Sequence, residues 1–248
     1  MIRNEQKIFT GSALNEHLLR AGTRIETHNN SPVVIVGETT KRKYMQTIIQ
    51  NMPGYRINEY LLVLSPHEEL KSRIMQVKKE FHDKYQAPTA LWGKPHVTLV
   101  TFTQIEMLED RIVNRLKTIA MGYHPIKIEL KDFGSFPSHT IYINVKTKEP
   151  IRNLVKEIKE VQRLMKLDND NKPHFIDEPH LTIARKLLPW QYEKGWLEYS
   201  NRHFTGRFIA DRMLLLKRVQ GDKAWKIVQG FEFMNLPVAT KQGAFDFA

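Results

Sequence analysis

Two stretches of six residues decide how this chain of 248 residues folds: Pro95-His96-Val97-Thr98-Leu99-Val100 and Pro179-His180-Leu181-Thr182-Ile183-Ala184. Each reads proline, histidine, aliphatic residue, threonine, and then two aliphatic or small residues. This alternation predicts a β-strand, in which residues i and i+2 point to the same face. Each stretch therefore presents an imidazole and a hydroxyl side by side. The side chains expected in the core are those of Val97, Leu99, Leu181 and Ile183.

The rest of the chain from residue 58 to residue 233 alternates between strand and helix periodicity. The predicted order is strand, helix, strand, helix, two strands, helix, strand, helix and two strands. Gly134 and Pro137 are expected to end the strand that begins at Ile126, and Phe208–Val219 is expected to be one closing strand. The second half of this order repeats the first. The repetition predicts an α+β fold of two similar lobes that place the two motif strands face to face.

The predicted domain organisation has three parts. Residues 1–55 are polar and weakly periodic, and we interpret them as an N-terminal extension of unassigned role. Residues 56–234 form the two-lobed domain, and residues 235–248 form a C-terminal tail. The N-terminus lacks the apolar core of a secretory signal, and the longest apolar runs are too short to span a bilayer. We therefore expect a cytoplasmic protein.

Composition narrows the function classes. The chain has no cysteine, which excludes a disulfide scaffold, thiol catalysis and cysteine-based metal sites. Its formal net charge of +11 favours a phosphate-bearing partner such as RNA or a nucleotide. The alternative is a basic surface with no specific partner.

Two imidazoles and two hydroxyls at one groove are the groups that a phosphodiester reaction needs. A neutral histidine accepts the proton of the attacking hydroxyl or water, and a protonated one donates to the leaving oxygen. Threonine hydroxyls donate hydrogen bonds to the non-bridging oxygens as negative charge develops. This assigns His96, Thr98, His180 and Thr182 as the catalytic set. Neither a metal ion nor a cofactor is required.

A bare His-x-Thr is a weak signal, because it is short enough to arise by chance. A third occurrence, His203-Phe204-Thr205, has no preceding proline and is followed by Gly206, so we interpret it as a chance match. The added proline and aliphatic residues make the other two far more specific. The alternative for those two is that both histidines are merely satisfied polar residues at strand ends.

The paired motifs resemble the signature of the 2H phosphoesterase superfamily, in particular its branch of bacterial 2′-5′ RNA ligases and 2′,3′-cyclic phosphodiesterases. Phe133-Gly134-Ser135-Phe136-Pro137 is similar to that family's Phe-x-x-Phe-Pro segment between the motifs. The resemblance covers residues 58–233 and implies two pseudo-symmetric lobes of antiparallel sheet with outer helices around a central groove. It also implies that the four motif residues are catalytic. Thr101-Phe102-Thr103 departs from the Phe-Leu-Gly of many relatives, which leaves the substrate subclass open.

Seven further residues are candidates for substrate binding. Basic side chains near the motifs can bind flanking phosphates. Arg185 lies three residues after Thr182 and is expected on the opposite strand face unless the strand twists or ends there. Aromatic side chains can stack on a base. The alternatives are solvated surface charge and core packing. The candidates are Trp92, Lys94, Phe136, His139, Tyr142, Arg185 and Lys186.

No metal site is predicted. The stretch Asp168-Asn169-Asp170-Asn171 resembles the start of a calcium loop, but Pro173 and Pro179 occupy the positions that require glycine and glutamate.

The sequence thus favours a metal-independent phosphodiesterase or transferase acting on 2′,3′-cyclic or 2′-5′ phosphodiester bonds of RNA or nucleotides. Two alternatives stay open: an RNA-binding module with little catalysis, and a phosphodiesterase for cyclic oligonucleotide signals.

Overall fold

The computed structural model describes residues 54–236 and, before them, the backbone of residues 24–28 and 31–35. The chain divides into two compact units, residues 1–56 and residues 57–248. In the first unit, strand β1 (Arg24–His28) pairs antiparallel with strand β2 (Ser31–Ile35).

The second unit alternates strands and helices along most of its length. Its elements are β3 (Ile57–Leu64), α1 (Glu68–Tyr85), β4 (Val97–Ile105), α2 (Glu109–Gly122), β5 (Ile126–Phe136), β6 (Thr140–Val145), α3 (Lys148–Ile158), α4 (Gln162–Met165), β7 (His174–Phe175), β8 (His180–Arg185), α5 (Pro189–Tyr199), β9 (Thr205–Ala210), β10 (Arg212–Val219) and β11 (Lys226–Glu232). Short 3₁₀ turns cover Pro88–Leu91, Glu106–Leu108 and Lys159–Val161. None of the helices within residues 54–236 is long and apolar enough to cross a membrane.

Helix α1 shows why the chain folds locally as it does. Glu68 and Glu69 lie in its first turn, where carboxylates favour the positive end of the helix dipole. Its buried stripe includes Leu70, Ile74 and Phe81, which are spaced for one helix face. The helix ends where Gln86 adopts a left-handed φ of 50°. The helix predicted after the first strand is confirmed.

The strands form one antiparallel sheet in the order β11-β10-β3-β4-β8-β6-β5-β9, and β7 pairs with β4. Strands β4 and β8 are joined by a single residue pair, Val97 opposite Leu181. Beyond that pair β4 continues along β7 instead. The nine-stranded sheet therefore consists of two halves, of five strands with β7 and of four strands, that meet at one residue pair. The α+β class with antiparallel sheet is confirmed.

Two details of the predicted arrangement are wrong. The motif strands are direct neighbours in the sheet and do not face each other across a cleft. The lobes are also not consecutive halves of the chain. Phe208–Val219 is two strands separated at Asp211, of which β9 pairs with β5 in one half and β10 pairs with β3 in the other. A continuous apolar pattern carries no information about which strand each part pairs with.

The four core residues predicted from the motifs are confirmed. The side chains of Val97, Leu99, Leu181 and Ile183 are fully buried in the main hydrophobic cluster. The sheet face that carries them packs against the helices, so the motif histidines and threonines lie on the other face.

Gly134 lies inside β5, so the prediction that it ends the strand is wrong. It stands opposite Tyr142 of β6. A Cβ at this position would lie 2.6 Å from Tyr142 Cε2 and 2.6 Å from Asn144 Oδ1. Glycine is therefore needed because the Tyr142 ring occupies the space above it.

We expect Gly134→Ala to destabilise the protein by about 1–3 kcal/mol, because Tyr142 must move and overpacking of a filled site costs that much. Gly230→Ala in β11 is the matched control, since its Cβ would meet its nearest neighbour at 3.5 Å. Urea unfolding of both variants measures the difference. Equal midpoints for the two variants would contradict this account of Gly134.

Candidate active site

Each motif strand carries a β-bulge at the residue that follows its threonine. In β4 the extra residue relative to β3 is Leu99, and in β8 the extra residue relative to β6 is the equivalent Ile183. A bulge places two successive residues on one side of the strand and then restarts the alternation. Accordingly Leu99 and Val100 are both fully buried, as are Ile183 and Ala184. The two halves of the sheet thus share the same local distortion at the same position of the motif.

The four polar side chains of the motifs lie together on one face. The single pair that joins β4 and β8 sets an antiparallel register that places His96 beside Thr182 and Thr98 beside His180. Neighbours of this kind on adjacent strands have Cβ atoms about 4.5–5.5 Å apart. All four side chains are half-buried. The structure therefore brings together two imidazoles and two hydroxyls from distant parts of the chain.

Both imidazoles are held by the same local hydrogen bond. The Nδ1 atom of His96 lies 2.7 Å from the carbonyl oxygen of Lys94, and that of His180 lies 2.8 Å from the carbonyl oxygen of Glu178. A carbonyl oxygen only accepts, so Nδ1 must donate and the neutral ring carries its proton there. The Nε2 atom is then the nitrogen that can take up a proton.

Two aromatic rings surround the imidazole of His180. The Phe136 ring meets it edge-on with centroids 4.9 Å apart, and the Tyr142 ring lies 5.0 Å away. Phe136 and Tyr142 also contact each other at 4.8 Å. These contacts fix the orientation of the imidazole ring, which the hydrogen bond at Nδ1 alone leaves free to tilt.

The surroundings of His96 lower its pKa from the ordinary value of 6.5. Burial is the main cause, because it disfavours the charged ring. The positive charges of Lys78 and Arg185 act in the same direction, as does His180, while the hydrogen bond to Lys94 opposes them.

The pKa of His180 is also lowered, chiefly by burial. The hydrogen bond to the Glu178 carbonyl opposes this effect, as the bond to Lys94 does at His96. The charged neighbour differs in sign: the carboxylate of Glu178 favours the protonated ring of His180. The two imidazoles therefore share their geometry but lie in different electrostatic fields.

The family model of the 2′-5′ RNA ligase superfamily matches residues 66–222, which is more than half of the chain and includes both motifs. The chain belongs to the 2′-5′ RNA ligase superfamily. The assignment to the 2H phosphoesterases that the motifs indicated is thereby confirmed.

Proteins of similar sequence are consistent with membership of this superfamily. A Bacillus licheniformis protein named as a phosphoesterase is 23% identical over 178 residues, which is 70% of this chain and 97% of that protein. Its namesake from Geobacillus kaustophilus is 26% identical over 178 residues, with 70% and 95% covered. Both names denote phosphoesterases, which supports the prediction that this protein is an enzyme.

Solved structures show the same fold. The E. coli LigT structure with 3′-AMP has a TM-score of 0.55 and 11% identity, covering 71% of this chain and 98% of LigT. The TT0787 protein of Thermus thermophilus has a TM-score of 0.51 and 14% identity, with 71% and 98% covered.

Arg185 lies on the motif face, which is the sheet face that carries the histidines and threonines of the two motifs. The expectation that it points the other way is therefore wrong. The bulge at Ile183 shifts the alternation by one residue and returns Arg185 to the face of Thr182. The charge of Arg185 lowers the pKa values of both His96 and Lys78.

The other candidates for substrate binding occupy less central positions. Trp92 is 57% exposed just ahead of the first motif. Lys94 and Lys186 are exposed, and Lys186 follows β8 in a left-handed conformation with φ of 53°. His139 is exposed in the turn between β5 and β6, where its Nδ1 lies 2.9 Å from the carbonyl oxygen of Pro137.

The third His-x-Thr lies elsewhere in the fold. His203 is exposed and its Nδ1 lies 3.2 Å from a carboxylate oxygen of Asp132. Thr205 begins β9, the edge strand, which is separated from β8 by β5 and β6. This position does not join the motif face.

Lys78 of helix α1 is a site residue that the sequence analysis missed. Its side chain is only 3% exposed, and its Nζ donates to the carbonyl oxygens of Trp92, at 3.2 Å, and Gly93, at 2.9 Å. Burial, with a smaller contribution from Arg185, lowers its pKa to about 8. The signal was present in the sequence, because Lys78 occupies a position of the apolar stripe, between Ile74 and Phe81.

No group of three or more histidine, aspartate or glutamate side chains that could hold a metal ion occurs within the part of the chain that the structure describes.

We expect the neutral imidazoles of His96 and His180 to carry their proton on Nδ1, and both rings to titrate below 6.5. Long-range ¹H–¹⁵N correlation spectra recorded across the titration report both properties, with His96→Gln and His180→Gln providing the assignments. A neutral ring protonated on Nε2 would show that the carbonyl bond is absent in solution.

Proposed function

We propose that this member of the superfamily is a metal-independent phosphodiesterase or phosphotransferase for 2′,3′-cyclic or 2′-5′ phosphodiester bonds of RNA or nucleotides. The proposal rests chiefly on one observation: two histidines, each with Nδ1 bound to a carbonyl oxygen, and two threonines share one half-buried face where β4 meets β8. It assigns the activity to residues 56–234, which contain all four side chains, and gives residues 1–55 and 235–248 no part in the chemistry.

The charges around the two imidazoles suggest which is base and which is acid. His96 faces the cations of Lys78 and Arg185, which favour its neutral form. His180 faces the carboxylate of Glu178, which favours its protonated form. We therefore assign His96 as the general base and His180 as the general acid for hydrolysis.

The proposed reaction on a cyclic phosphate is a single displacement at phosphorus. His96 Nε2 takes a proton from a water molecule as its oxygen forms a bond to phosphorus. The bond from phosphorus to one ribose oxygen breaks, and His180 Nε2 donates its proton to that oxygen. The product is a phosphomonoester with a free ribose hydroxyl.

The remaining polar groups of the face have supporting roles in this proposal. The hydroxyls of Thr98 and Thr182 donate hydrogen bonds to the non-bridging oxygens, where negative charge increases in the transition state. Arg185, on the same face, adds a positive charge next to them. Together these groups suit a phosphate that carries one negative charge before the reaction and more during it.

A nucleotide or RNA substrate is supported by charge and by fold. The net charge of +11 attracts polyanions, and E. coli LigT, which has a similar fold, was solved with 3′-AMP bound. In this proposal the exposed Trp92 stacks on a base, and Lys94 and Lys186 bind flanking phosphates. Phe136 and Tyr142 hold the His180 ring and present their remaining edges to the nucleoside.

The decisive experiment compares His96→Ala and His180→Ala with the wild type on a panel of linear and cyclic phosphodiesters, in EDTA and without added metal. Each variant should lose roughly 10²–10⁴-fold in kcat, because each removes one proton transfer. His203→Ala is the matched control, since it alters the His-x-Thr that lies on the edge strand.

Each other outcome has a clear meaning. Full activity in either motif variant removes that histidine from the mechanism. Activity that EDTA abolishes refutes metal independence. Turnover of cyclic oligonucleotides alone favours a signal phosphodiesterase, and salt-sensitive RNA binding without any turnover favours a binding module.

The pH dependence follows from the two lowered pKa values. The base must be neutral and the acid protonated, so kcat/KM should reach its maximum on the acid side of pH 6.5. A bound phosphodiester adds negative charge beside both rings and raises both pKa values, so the maximum of kcat should lie at higher pH. Steady-state profiles of both parameters test this, and a kcat/KM maximum well above pH 6.5 would contradict it.

A further inference from the structure

In each half of the sheet, a cationic side chain from a helix ahead of the motif donates to a carbonyl oxygen of the segment that leads into the motif histidine. Lys78 Nζ of α1 donates to the carbonyl oxygen of Gly93 at 2.9 Å, and Arg152 Nε of α3 donates to that of Asp177 at 3.0 Å. Gly93 and Asp177 occupy the same position, three residues before each motif histidine. The next carbonyl along the chain is in both cases the one that receives the Nδ1 hydrogen bond.

The two cations differ in how their charge is compensated. Arg152 is 41% exposed and forms an ion pair with Glu178, whose carboxylate also accepts from Lys148 at 2.7 Å. Lys78 is 3% exposed, and no carboxylate lies within ion-pair distance of it among residues 54–236. The helix cation therefore adds an uncompensated positive charge on the His96 side alone.

A buried ammonium without a carboxylate partner is expensive, because its hydration is lost and its hydrogen bonds return only part of that free energy. Lys78 also takes the place of an apolar residue in the stripe of α1. A neutral donor would serve to bind two carbonyl oxygens. The positive charge is the property that a neutral side chain does not supply.

Among residues 54–236, few charged groups lie around His96. Lys78 comes from α1, and Arg185 and His180 come from β8. Lys94, on the same loop as His96, is exposed. On the β3 side the neighbour of Thr98 is the apolar Val63. Lys78 is the buried member of this set.

We propose that Lys78 is a positioning residue for His96, which holds the Trp92–Gly93 segment against α1 so that the next carbonyl meets Nδ1, and whose ammonium keeps the imidazole in its neutral form. The catalytic consequence rests on the proposed role of His96 as the base. The effect on the imidazole itself does not require a substrate.

The test uses three substitutions of Lys78 in the full chain. Lys78→Met removes the charge and the donors, Lys78→Gln keeps a neutral donor, and Lys78→Arg keeps the charge. Lys79→Met, at the exposed neighbouring position of α1, is the matched control. Removing a nearby cation favours the imidazolium, so the NMR titration midpoint of His96 should rise in Lys78→Met and Lys78→Gln. It should stay close to that of the wild type in Lys78→Arg and Lys79→Met.

The pH dependence of kcat/KM should change in the same variants. The acidic limb of the kcat/KM profile should move to higher pH in Lys78→Met and Lys78→Gln, because a base with a higher pKa is protonated over a wider range. At pH 6 we expect a loss of no more than about fourfold, because burial and Arg185 still hold the pKa of His96 below 6.5 in these variants. A role confined to folding would lower activity at all pH values without moving the limb.

An unchanged His96 midpoint in a folded Lys78→Met or Lys78→Gln variant overturns the proposal. If Lys78→Met does not fold, the comparison of Lys78→Gln with Lys78→Arg decides, since the two differ in charge while both retain donors. A wild type without phosphodiesterase activity would refute the proposed function and leave the NMR result on Lys78 standing.

Discussion

The site depends on one backbone pairing, that of Val97 with Leu181 at the junction of the two half-sheets. Both side chains are fully buried, so a shift of one residue in this register would turn core residues towards solvent. The polar residues on either side share the register because they belong to the same two strands. Hydrophobic burial at the junction therefore sets the relative positions of both imidazoles and both hydroxyls.

The bulges at Leu99 and Ile183 determine which of the following side chains lie in the core and which lie on the polar face. A regular strand would continue to alternate beyond the threonine and would direct Arg185 into the core. The bulge instead buries two successive residues and brings the guanidinium to the polar face. Bulges commonly re-aim side chains next to functional sites, and here the same device occurs at equivalent positions of both halves.

The two halves are alike in backbone and different in charge. Each histidine is held by the carbonyl two residues before it and each carbonyl segment is fastened by a cation from the preceding helix. Glu178 compensates the cation on one side, and no equivalent carboxylate lies beside Lys78 within the described residues. In a pseudo-symmetric scaffold, such a difference in local charge would allow two identical side chains to perform the opposite proton transfers that we propose.

The sequence by itself determined the motif strands, their buried faces and the pairing of histidine with threonine, because strand periodicity is a local property that the side-chain pattern states directly. It also contained the lysine in the stripe of α1. Only the tertiary structure decided that the motif strands are neighbours, that Arg185 joins their polar face and that Gly134 makes room for Tyr142. It also decided that the lysine binds the carbonyl oxygens just ahead of the first motif. These features arise from pairings and contacts between residues far apart in the chain. Which strands pair depends on the packing of the whole core, so a short stretch of sequence does not predict it.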